Sequence, residues 1–339
     1  MKKLLNTLFI TRDGAYVRKE RETIRIECEG EKALQLPAHG LSDIHCFGRV
    51  MVSPALMGFC AEQGIGLAFY TEYGRYLASV QGPYTGNVLL RRSQHRIADT
   101  QPVAIARNIV AAKLVNSMAV LRRHGRNHGE DPEVSAAADD IRRLLGHVRR
   151  VDSVDRLRGY EGEAAARYFS AFPLLVRPNL REGFAFAGRT RRPPLDPVNA
   201  LLSFVYTLLT QEISAALYGV GLDPYIGFLH VDRPGRRSLA LDILEEFRAW
   251  WADRLVLSLI NRQQLSPSDF VTEVSGAVRL KPEARKKVLV AHQERKRETI
   301  KHPYLKEDIA VGLLPYAQAL LLARHLRGDL AQYPPFAVK

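Results

Sequence analysis

Cysteine is scarce in this chain of 339 residues, which contains three: Cys28, Cys46 and Cys60. Their number is odd, they lie far apart in the sequence, and no two of them form a CxxC pair. Both a disulfide framework and a structural zinc site are therefore disfavoured, and a reducing compartment is favoured. We expect a cytoplasmic protein.

Long uncharged apolar runs are missing as well. No window approaches the roughly 18 uncharged apolar residues of a membrane-spanning helix, so we expect no membrane partner. The N-terminus reaches Arg12 and Asp13 before a signal-peptide hydrophobic region can form. The chain also lacks a P-loop, a dinucleotide-binding glycine fingerprint and an HExxH motif, which disfavours ATP-, NAD- and zinc-dependent activities.

Positive charge is present in excess, because 49 Lys and Arg residues against 36 Asp and Glu give a formal net charge of +13. Hydrophobic residues make up 46%, an ordinary globular proportion. Charge alone leaves nucleic-acid binding and an ordinary basic surface equally open. Arginines recur in several separate clusters, and arginine grips phosphates bidentately. This distribution favours a long polyanion that is contacted at many points.

Hydrophobic periodicity divides the chain in two. Up to about residue 90, short segments such as residues 23–28 alternate apolar and polar positions, which is typical of half-buried strands. Helical segments follow, and Asp196 and Pro197 open one of them as the N-cap and the first helical residue. We predict an α+β fold with a small N-terminal β domain over residues 1–90, a linker over 91–104 and an all-helical catalytic domain over 105–339.

Candidate metal ligands are dispersed through the helical part. Asp242 and Glu245 are three residues apart and share one helical face, and Asp242 lies in a strongly hydrophobic run where an unpartnered acid is costly. His230 follows directly on an apolar segment. Glu161 begins another predicted helix. Two carboxylates and one imidazole suit Mg²⁺ or Mn²⁺, with the histidine favouring Mn²⁺. A triplet this loose also arises by chance, so structural roles remain an open alternative.

The helix that begins at Pro197 carries a polar stripe on an otherwise apolar surface. Asn199, Ser203 and Tyr206 recur at helical spacing along one face. Such a stripe on a buried helix lines a site or bonds to another helix, and the spacing does not distinguish the two.

Four motifs resemble one known family, and they occur in that family's order. They are Gly159-Tyr-Glu-Gly162, the segment Asp196-Pro-Val-Asn199 with its continuation to Tyr206, Gly227-Phe-Leu-His230, and Ser238-Leu-Ala-Leu-Asp242-Ile-Leu-Glu245. The set is similar to that of the CRISPR-associated spacer-acquisition endonuclease/integrase, the "Cas-one" family. In detail, the motif sequences are nearest to those of the type I-C branch. Each motif alone is weak, whereas the ordered set is specific and covers most of the chain.

The resemblance implies a fold, a metal site and partners. It implies dimerisation through the β domain, and a divalent metal, Mg²⁺ or Mn²⁺, held by Glu161, His230 and Glu245 with Asp242 close by. Some family members carry Asp where this chain has Glu245, so the division of labour between Asp242 and Glu245 stays open. Glu246 is interpreted as a solvated neighbour. Two homodimers would flank a dimer of the small "Cas-two" protein and integrate captured double-stranded DNA into a CRISPR repeat.

The implied reaction needs no side-chain nucleophile. A DNA 3′-hydroxyl attacks a phosphodiester at the repeat boundary, and water in its place gives nuclease activity. We hypothesise that basic side chains hold the DNA backbone, although ordinary surface charge explains any single one equally well. These predicted DNA contacts are Arg189, Arg191, Arg192, Arg233, Arg236, Arg237, Arg285, Lys286 and Lys287.

Two rival functions remain open at this stage. A stand-alone metal nuclease for branched or single-stranded DNA would cut without a partner or a free 3′ end. A non-catalytic basic DNA-binding scaffold would bind DNA regardless of divalent metal, and replacing Glu161 or His230 by alanine would leave its activity unchanged.

Overall fold

A computed structural model describes residues 6–30, 33–80, 87–190 and 192–338. The N-terminal part consists of short strands and one helix, as the period-two alternation predicts. The strands are β1 (Asn6–Ile10), β2 (Tyr16–Glu20), β3 (Thr23–Glu27), β4 (Leu34–Pro37), β5 (Leu41–Phe47), β6 (Met51–Val52), β7 (Gly66–Tyr70) and β8 (Tyr76–Val80), and the helix is α1 (Pro54–Gln63).

These strands form two four-stranded sheets. The order in one sheet is β1-β5-β7-β8, in which β1, β5 and β7 are parallel and β8 is antiparallel to β7. The other sheet has the order β4-β3-β2-β6. Inward-facing residues such as Val17, Ile24 and Ile44 pack with Leu56 of α1 in a small core. Cys28, Cys46 and Cys60 are free thiols.

Within the described residues nine further helices follow, and local capping chemistry explains several of their ends. Asp196 accepts a hydrogen bond from the backbone of Asn199, Pro197 starts the same helix, and Gly221 ends it with a φ of 93° that favours glycine. The helices within the described residues are α2 (Val88–Thr100), α3 (Val103–His128), α4 (Pro132–Val148), α5 (Val154–Ala171), α6 (Pro197–Val220), α7 (Ser238–Phe247), α8 (Arg254–Asn261), α9 (Pro282–Arg297) and α10 (Leu314–Leu326).

The C-terminal part is not all-helical, which corrects the prediction. It contains two short antiparallel strand pairs, β9 (Phe270–Thr272) with β10 (Val278–Leu280), and β11 (Thr299–Lys301) with β12 (Asp308–Ala310). Gly276, with a φ of 78°, lies in the turn that joins β9 to β10. Strands of three residues are too short to produce a readable alternation in the sequence.

Most of the stretch predicted as a linker is helical, because it falls within α2. Gln94 of this helix is completely buried, and its side-chain amide donates to the carbonyls of Asp223 and Ile226 at 2.8 and 2.9 Å. The amide oxygen in turn accepts from the backbone N–H of Asp223 at 2.9 Å. These three bonds tie α2 to the segment that leads to His230.

The sheet and the helices share one continuous core. Phe47 and Tyr70 from the sheet pack in the same buried cluster as Phe204 of α6. A Cβ atom at Gly74, in the turn before β8, would lie 2.3 Å from the Phe204 ring, so only glycine fits at this contact. Two helices, Val103–Asn127 and α6, have the length and composition of membrane spans, yet 61% and 72% of their apolar windows are buried in the protein.

Glu246 of α7 anchors the C-terminal segment of the chain through hydrogen bonds. Its carboxylate accepts from Tyr333 Oη at 2.6 Å, from Phe336 N at 2.7 Å and from Gln318 Nε2 at 2.8 Å. The side chain is fully buried rather than solvated, which corrects the interpretation made from the sequence. Burial and, to a smaller extent, the Asp242 charge raise the pKa of Glu246 to about 8, although these three hydrogen bonds lower it in part.

The raised pKa of Glu246 predicts a pH-dependent stability. This carboxyl binds more protons in the folded than in the unfolded protein, so its contribution to stability falls as the pH rises from about 4.5 to about 8. We expect the thermal midpoint of Glu246→Gln to depend less on pH across this window than that of the wild type. Glu182→Gln, at an exposed position, is the control and should keep the wild-type slope. Parallel slopes for all three proteins would contradict the assignment.

Candidate active site

Three elements bring the candidate catalytic side chains together. Glu161 comes from α5, Asp242 and Glu245 come from α7, and His230 comes from the loop that precedes α7. Lys113 of α3 contacts both Glu161 and Glu245. Asp242 and Glu245 are buried, whereas the side chains of Glu161 and His230 are 26% and 19% exposed, so the group opens to solvent on one side. We refer to Glu161, His230, Asp242 and Glu245 as the carboxylate–histidine cluster.

Asp242 fixes the backbone and the ring of His230. Its Oδ2 accepts from the N–H groups of Phe228 and Leu229 at 2.6 and 2.9 Å. Its Oδ1 lies 3.0 Å from the backbone N and 2.6 Å from Nδ1 of His230. A Cβ atom at Gly227 would lie 2.9 Å from Oδ2, which explains the glycine at this motif position. Both carboxylate oxygens of Asp242 are thus used within the protein.

Glu245 faces three nitrogen-bearing side chains. Its Oε1 lies 3.0 Å from Arg248 Nε and 3.9 Å from His230 Nε2, and its Oε2 lies 2.7 Å from Lys113 Nζ. The contact with Lys113 is an ion pair without hydrogen-bond geometry, because Oε2 has no hydrogen-bond partner. Burial alone would raise the pKa of Glu245, but the charges of Arg248 and Lys113 lower it to about 2. Glu245 is therefore ionised at neutral pH.

Sequence reasoning missed Lys113 and Arg248. A usable signal was present at Lys113, which is a cation in an apolar helical run and therefore needs a buried partner, as Asp242 does. Arg248 begins a π-helical segment, Arg248–Asp253, between α7 and α8. Such wide turns are frequently found at functional sites.

The polar stripe of α6 contacts arginines at the edge of the carboxylate–histidine cluster. Asn199 and Ser203 accept hydrogen bonds from the guanidinium of Arg189, which lies 5.2 Å from the centre of the Tyr206 ring. The guanidinium of Arg248 lies over the same ring at 4.7 Å. The stripe therefore holds Arg189 and connects to Glu245 through Tyr206 and Arg248.

Tyr206 also has a buried hydrogen bond of its own. Its hydroxyl donates to Asp253 Oδ1 at 2.5 Å. Burial raises the pKa of Asp253 to about 6, against the lowering effect of this bond. The bond joins α6 to the end of the π-helical segment and so fixes the ring on which Arg248 lies.

Two of the predicted DNA contacts are used inside the protein instead. Arg285 is only 4% exposed, and its guanidinium lies 5.5 Å from the centre of the Phe47 ring. Arg237 donates to Gln211 and, at 2.6 Å, to the Tyr76 hydroxyl, so it links β8 to α6. Lone arginines in a basic sequence do not reveal such packing. Of the others, Arg192, Arg233, Lys286 and Lys287 are exposed, Arg189 and Arg236 are partly buried, and Arg191 lies outside the described residues.

A second basic feature lies between α3, α8 and α9. This cleft of about 450 Å³ is lined by five arginines, together with Glu294 and Glu298. Burial, followed by the neighbouring charges of Arg295 and Arg123, lowers the pKa of Arg254 to about 10. We call it the arginine cleft, and its arginines are Arg123, Arg177, Arg254, Arg262 and Arg295.

Comparison with known proteins identifies the family. The family model described as CRISPR associated protein Cas1 matches residues 8–294. A Chlorobaculum tepidum protein named CRISPR-associated endonuclease Cas1 1 is 50% identical over 341 residues, covering 99% of each chain. The chain belongs to the Cas1 family. The resemblance drawn from the four motifs is confirmed, and the type I-C branch stays a prediction.

Solved structures give the same fold. TM1797, a Cas1 protein from Thermotoga maritima, matches with a TM-score of 0.83 and 27% identity over 98% of this chain and 100% of that one. A casposase bound to integration product matches with a TM-score of 0.85 and 21% identity, covering 98% and 94%. The predicted α+β class, with strands first and a helical region after them, is confirmed for this member of the Cas1 family.

The bonds of Asp242 predict a structural penalty for its amide analogue. In Asp242→Asn, an amide nitrogen would face backbone N–H donors, and we expect a loss of about 3 kcal/mol of unfolding free energy. Denaturant titration measures this loss, and the ¹⁵N chemical shifts of the His230 ring report whether it keeps its orientation. Asp329→Asn, at an ion pair whose side chains are about half-exposed, should change stability by less than about 1 kcal/mol. Equal losses in the two variants would contradict the proposed role of Asp242.

Proposed function

We propose that this Cas1-family chain is a metal-dependent DNA endonuclease/integrase of CRISPR adaptation. The observation that carries the proposal is the convergence of Glu161, His230 and Glu245 from three separate elements, with Asp242 holding the imidazole. Family membership supports the reaction class, since the Chlorobaculum tepidum relative is named an endonuclease. A protein of the same fold is described as bound to an integration product, which supports joining as well as cutting.

The donor set fits a divalent cation. Hydrogen bonding of His230 Nδ1 to Asp242 turns Nε2 towards Glu245, the arrangement in which an imidazole ligates a metal. Glu245 Oε2 is buried without a hydrogen-bond partner, and Glu161 is partly exposed beside it. Carboxylate oxygens and one imidazole suit Mg²⁺ or Mn²⁺. We therefore assign Glu161, His230 and Glu245 as ligands and Asp242 as the residue that orients His230.

No ready-made group of three acidic, histidine or cysteine donors appears in the part of the chain that the structure describes. The Lys113 ammonium contacts both the Glu161 and Glu245 carboxylates, so it takes the place between them. Metal binding therefore requires these side chains to rearrange.

The proposed reaction is phosphodiester transesterification. A bound divalent cation supplies Lewis-acid polarisation of the phosphoryl oxygens and offsets the charge of the transition state. The 3′-hydroxyl of the captured DNA gives up its proton to solvent as its oxygen forms a bond to phosphorus. The bond to the departing strand breaks, and that strand takes up a proton and leaves with a hydroxyl. Arg248 holds Glu245 ionised, and Asp242 keeps the imidazole oriented. Water in place of the 3′-hydroxyl gives hydrolysis.

The proposed partners follow from the charge and the family. A homodimer would carry twice the +13 of one chain, which suits a duplex held mainly by its backbone. Double-stranded DNA, a second copy of the chain that pairs through the strand-rich part, and the small "Cas-two" protein are the proposed partners, in the cytoplasm. The exposed predicted contacts and the arginine cleft are the surfaces that we assign to phosphates.

An integration assay tests the proposed function. A labelled duplex with 3′-hydroxyl ends is incubated with a supercoiled plasmid that bears a leader and a repeat, with Mn²⁺ or EDTA and with or without the "Cas-two" protein. We expect His230→Ala to reduce joining by at least about 100-fold, because the imidazole ligand is lost. His39→Ala changes an exposed histidine outside the cluster and should leave joining intact.

The rival functions predict other results in the same assay. Cutting without joining, independent of the partner and of the 3′-hydroxyl, would favour the stand-alone nuclease. Tight DNA binding with neither cutting nor joining, unchanged in His230→Ala and in EDTA, would favour the non-catalytic scaffold and remove the metal-site argument.

The arginine cleft makes a separate prediction about DNA affinity. Arg123 and Arg262 are exposed members of the cleft, so Arg123→Gln with Arg262→Gln should remove about two phosphate contacts without unfolding the protein. The slope of log affinity against log salt should decrease in magnitude by about 2. Arg327→Gln, at an exposed pair with Asp329, is the control. An unchanged slope in the double variant would show that DNA does not occupy this cleft.

A further inference from the structure

Lys113 occupies an unusual position for a lysine. It lies within α3, its side chain is only 11% exposed, and its neighbours Val110 and Leu114 are buried. Its ammonium nitrogen lies 2.7 Å from Glu245 Oε2 and also contacts Glu161 Oε1. An ammonium is costly in such surroundings unless anions surround it. The two carboxylates that it joins are the ones assigned above to the metal.

The formal charges of the site are nearly balanced without a metal. The site contains the carboxylates of Glu161, Asp242 and Glu245 together with the cations of Lys113 and Arg248, which leaves one excess negative charge when the imidazole is neutral. A divalent cation added to this set reverses the sign and leaves one excess positive charge. A phosphodiester, which carries one negative charge, restores neutrality. Electrostatics therefore favours metal and phosphate binding together over metal binding alone.

The two cations differ in their freedom to move. Arg248 lies over the Tyr206 ring and contacts Glu245 Oε1, so packing holds it in place. Lys113 is a compact charge on a flexible four-carbon stem, held at its ammonium by the Glu161 and Glu245 carboxylates. Lys113 is therefore the cation that can leave the carboxylates at the smaller cost.

We propose that Lys113 is a built-in counter-cation that holds Glu161 and Glu245 together before metal binds and is displaced when metal arrives. The proposal rests on the proposed function, since it takes Glu161, His230 and Glu245 as the ligands. The displaced ammonium pairs with a DNA phosphate, so DNA and the divalent cation strengthen each other's binding. This coupling is reciprocal, as linkage requires. The free protein therefore binds metal weakly, and metal fills the site when DNA is bound.

Metal titration of Lys113→Met tests the proposal, because methionine keeps the length and apolar stem of lysine and removes the charge. Free Mn²⁺ is followed by electron paramagnetic resonance with the full chain, without DNA and with a short duplex. We expect Mn²⁺ to bind the variant at least about 10-fold more tightly than the wild type without DNA, a typical size for coupled binding. Adding the duplex should tighten Mn²⁺ binding by the wild type more than by the variant.

Thermal unfolding provides a readout that does not depend on activity. In EDTA the thermal midpoint of Lys113→Met should fall below that of the wild type, because the Glu161 and Glu245 carboxylates repel each other. Mn²⁺ should raise the midpoint of Lys113→Met by more than it raises that of the wild type. Lys296→Met is the matched control, since Lys296 makes a buried ion pair with Glu212 at 2.8 Å. Its Mn²⁺ affinity should equal that of the wild type. Lys113→Gln replaces Lys113→Met if the latter does not fold, with the same expected directions.

Failure of this inference is distinguishable from failure of the proposed function. Equal Mn²⁺ affinities in the wild type and Lys113→Met would overturn the role of Lys113. If Mn²⁺ binding is also lost in His230→Ala, the metal site itself stands. Mn²⁺ binding that does not depend on His230 or Glu161 would overturn the metal site, and the role of Lys113 with it.

Discussion

The hydrogen bonding of Asp242 is the interaction on which the rest of the site depends. A fully buried carboxylate accepts three backbone N–H groups and contacts one imidazole nitrogen, so it fixes the course of residues 228–230 and the ring that they present. Gly227 and the Gln94 bonds to the preceding segment secure the same loop from other sides. Since Nδ1 of His230 is engaged, Nε2 is the nitrogen left for chemistry.

Two adjacent glutamates on α7 show how position within the fold sets protonation. Arg248 and Lys113 lower the pKa of Glu245 to about 2, whereas burial and the Asp242 charge raise that of Glu246 to about 8. One is therefore a charged group that suits a cation, and the other anchors the C-terminal segment through Tyr333 and Phe336. Their neighbourhoods differ because successive residues on a helix point about 100° apart.

The four members of the cluster and the α+β class were predictable from the sequence, and each prediction had a local cause. Asp242 is an acid in an apolar run, Glu245 follows on the same helical face, and caps such as Asp196 define the helix starts. The roles of Lys113, Arg237 and Arg285 were not predictable in the same way. Each depends on a partner far away in the sequence, such as Glu161, which lies 48 residues from Lys113.

The sequence was sufficient to predict the family, the division into a strand-rich part followed by a helical part, and the residue types that a cation and a phosphate backbone require. These properties depend on local spacing and composition. Tertiary structure alone decided which basic side chains remain at the surface, which acid is buried with its oxygens saturated, and which lysine lies between two carboxylates. Such outcomes depend on how α3, α5 and α7 pack, because Coulomb interactions and hydrogen bonds act over a few ångströms in space regardless of separation along the chain.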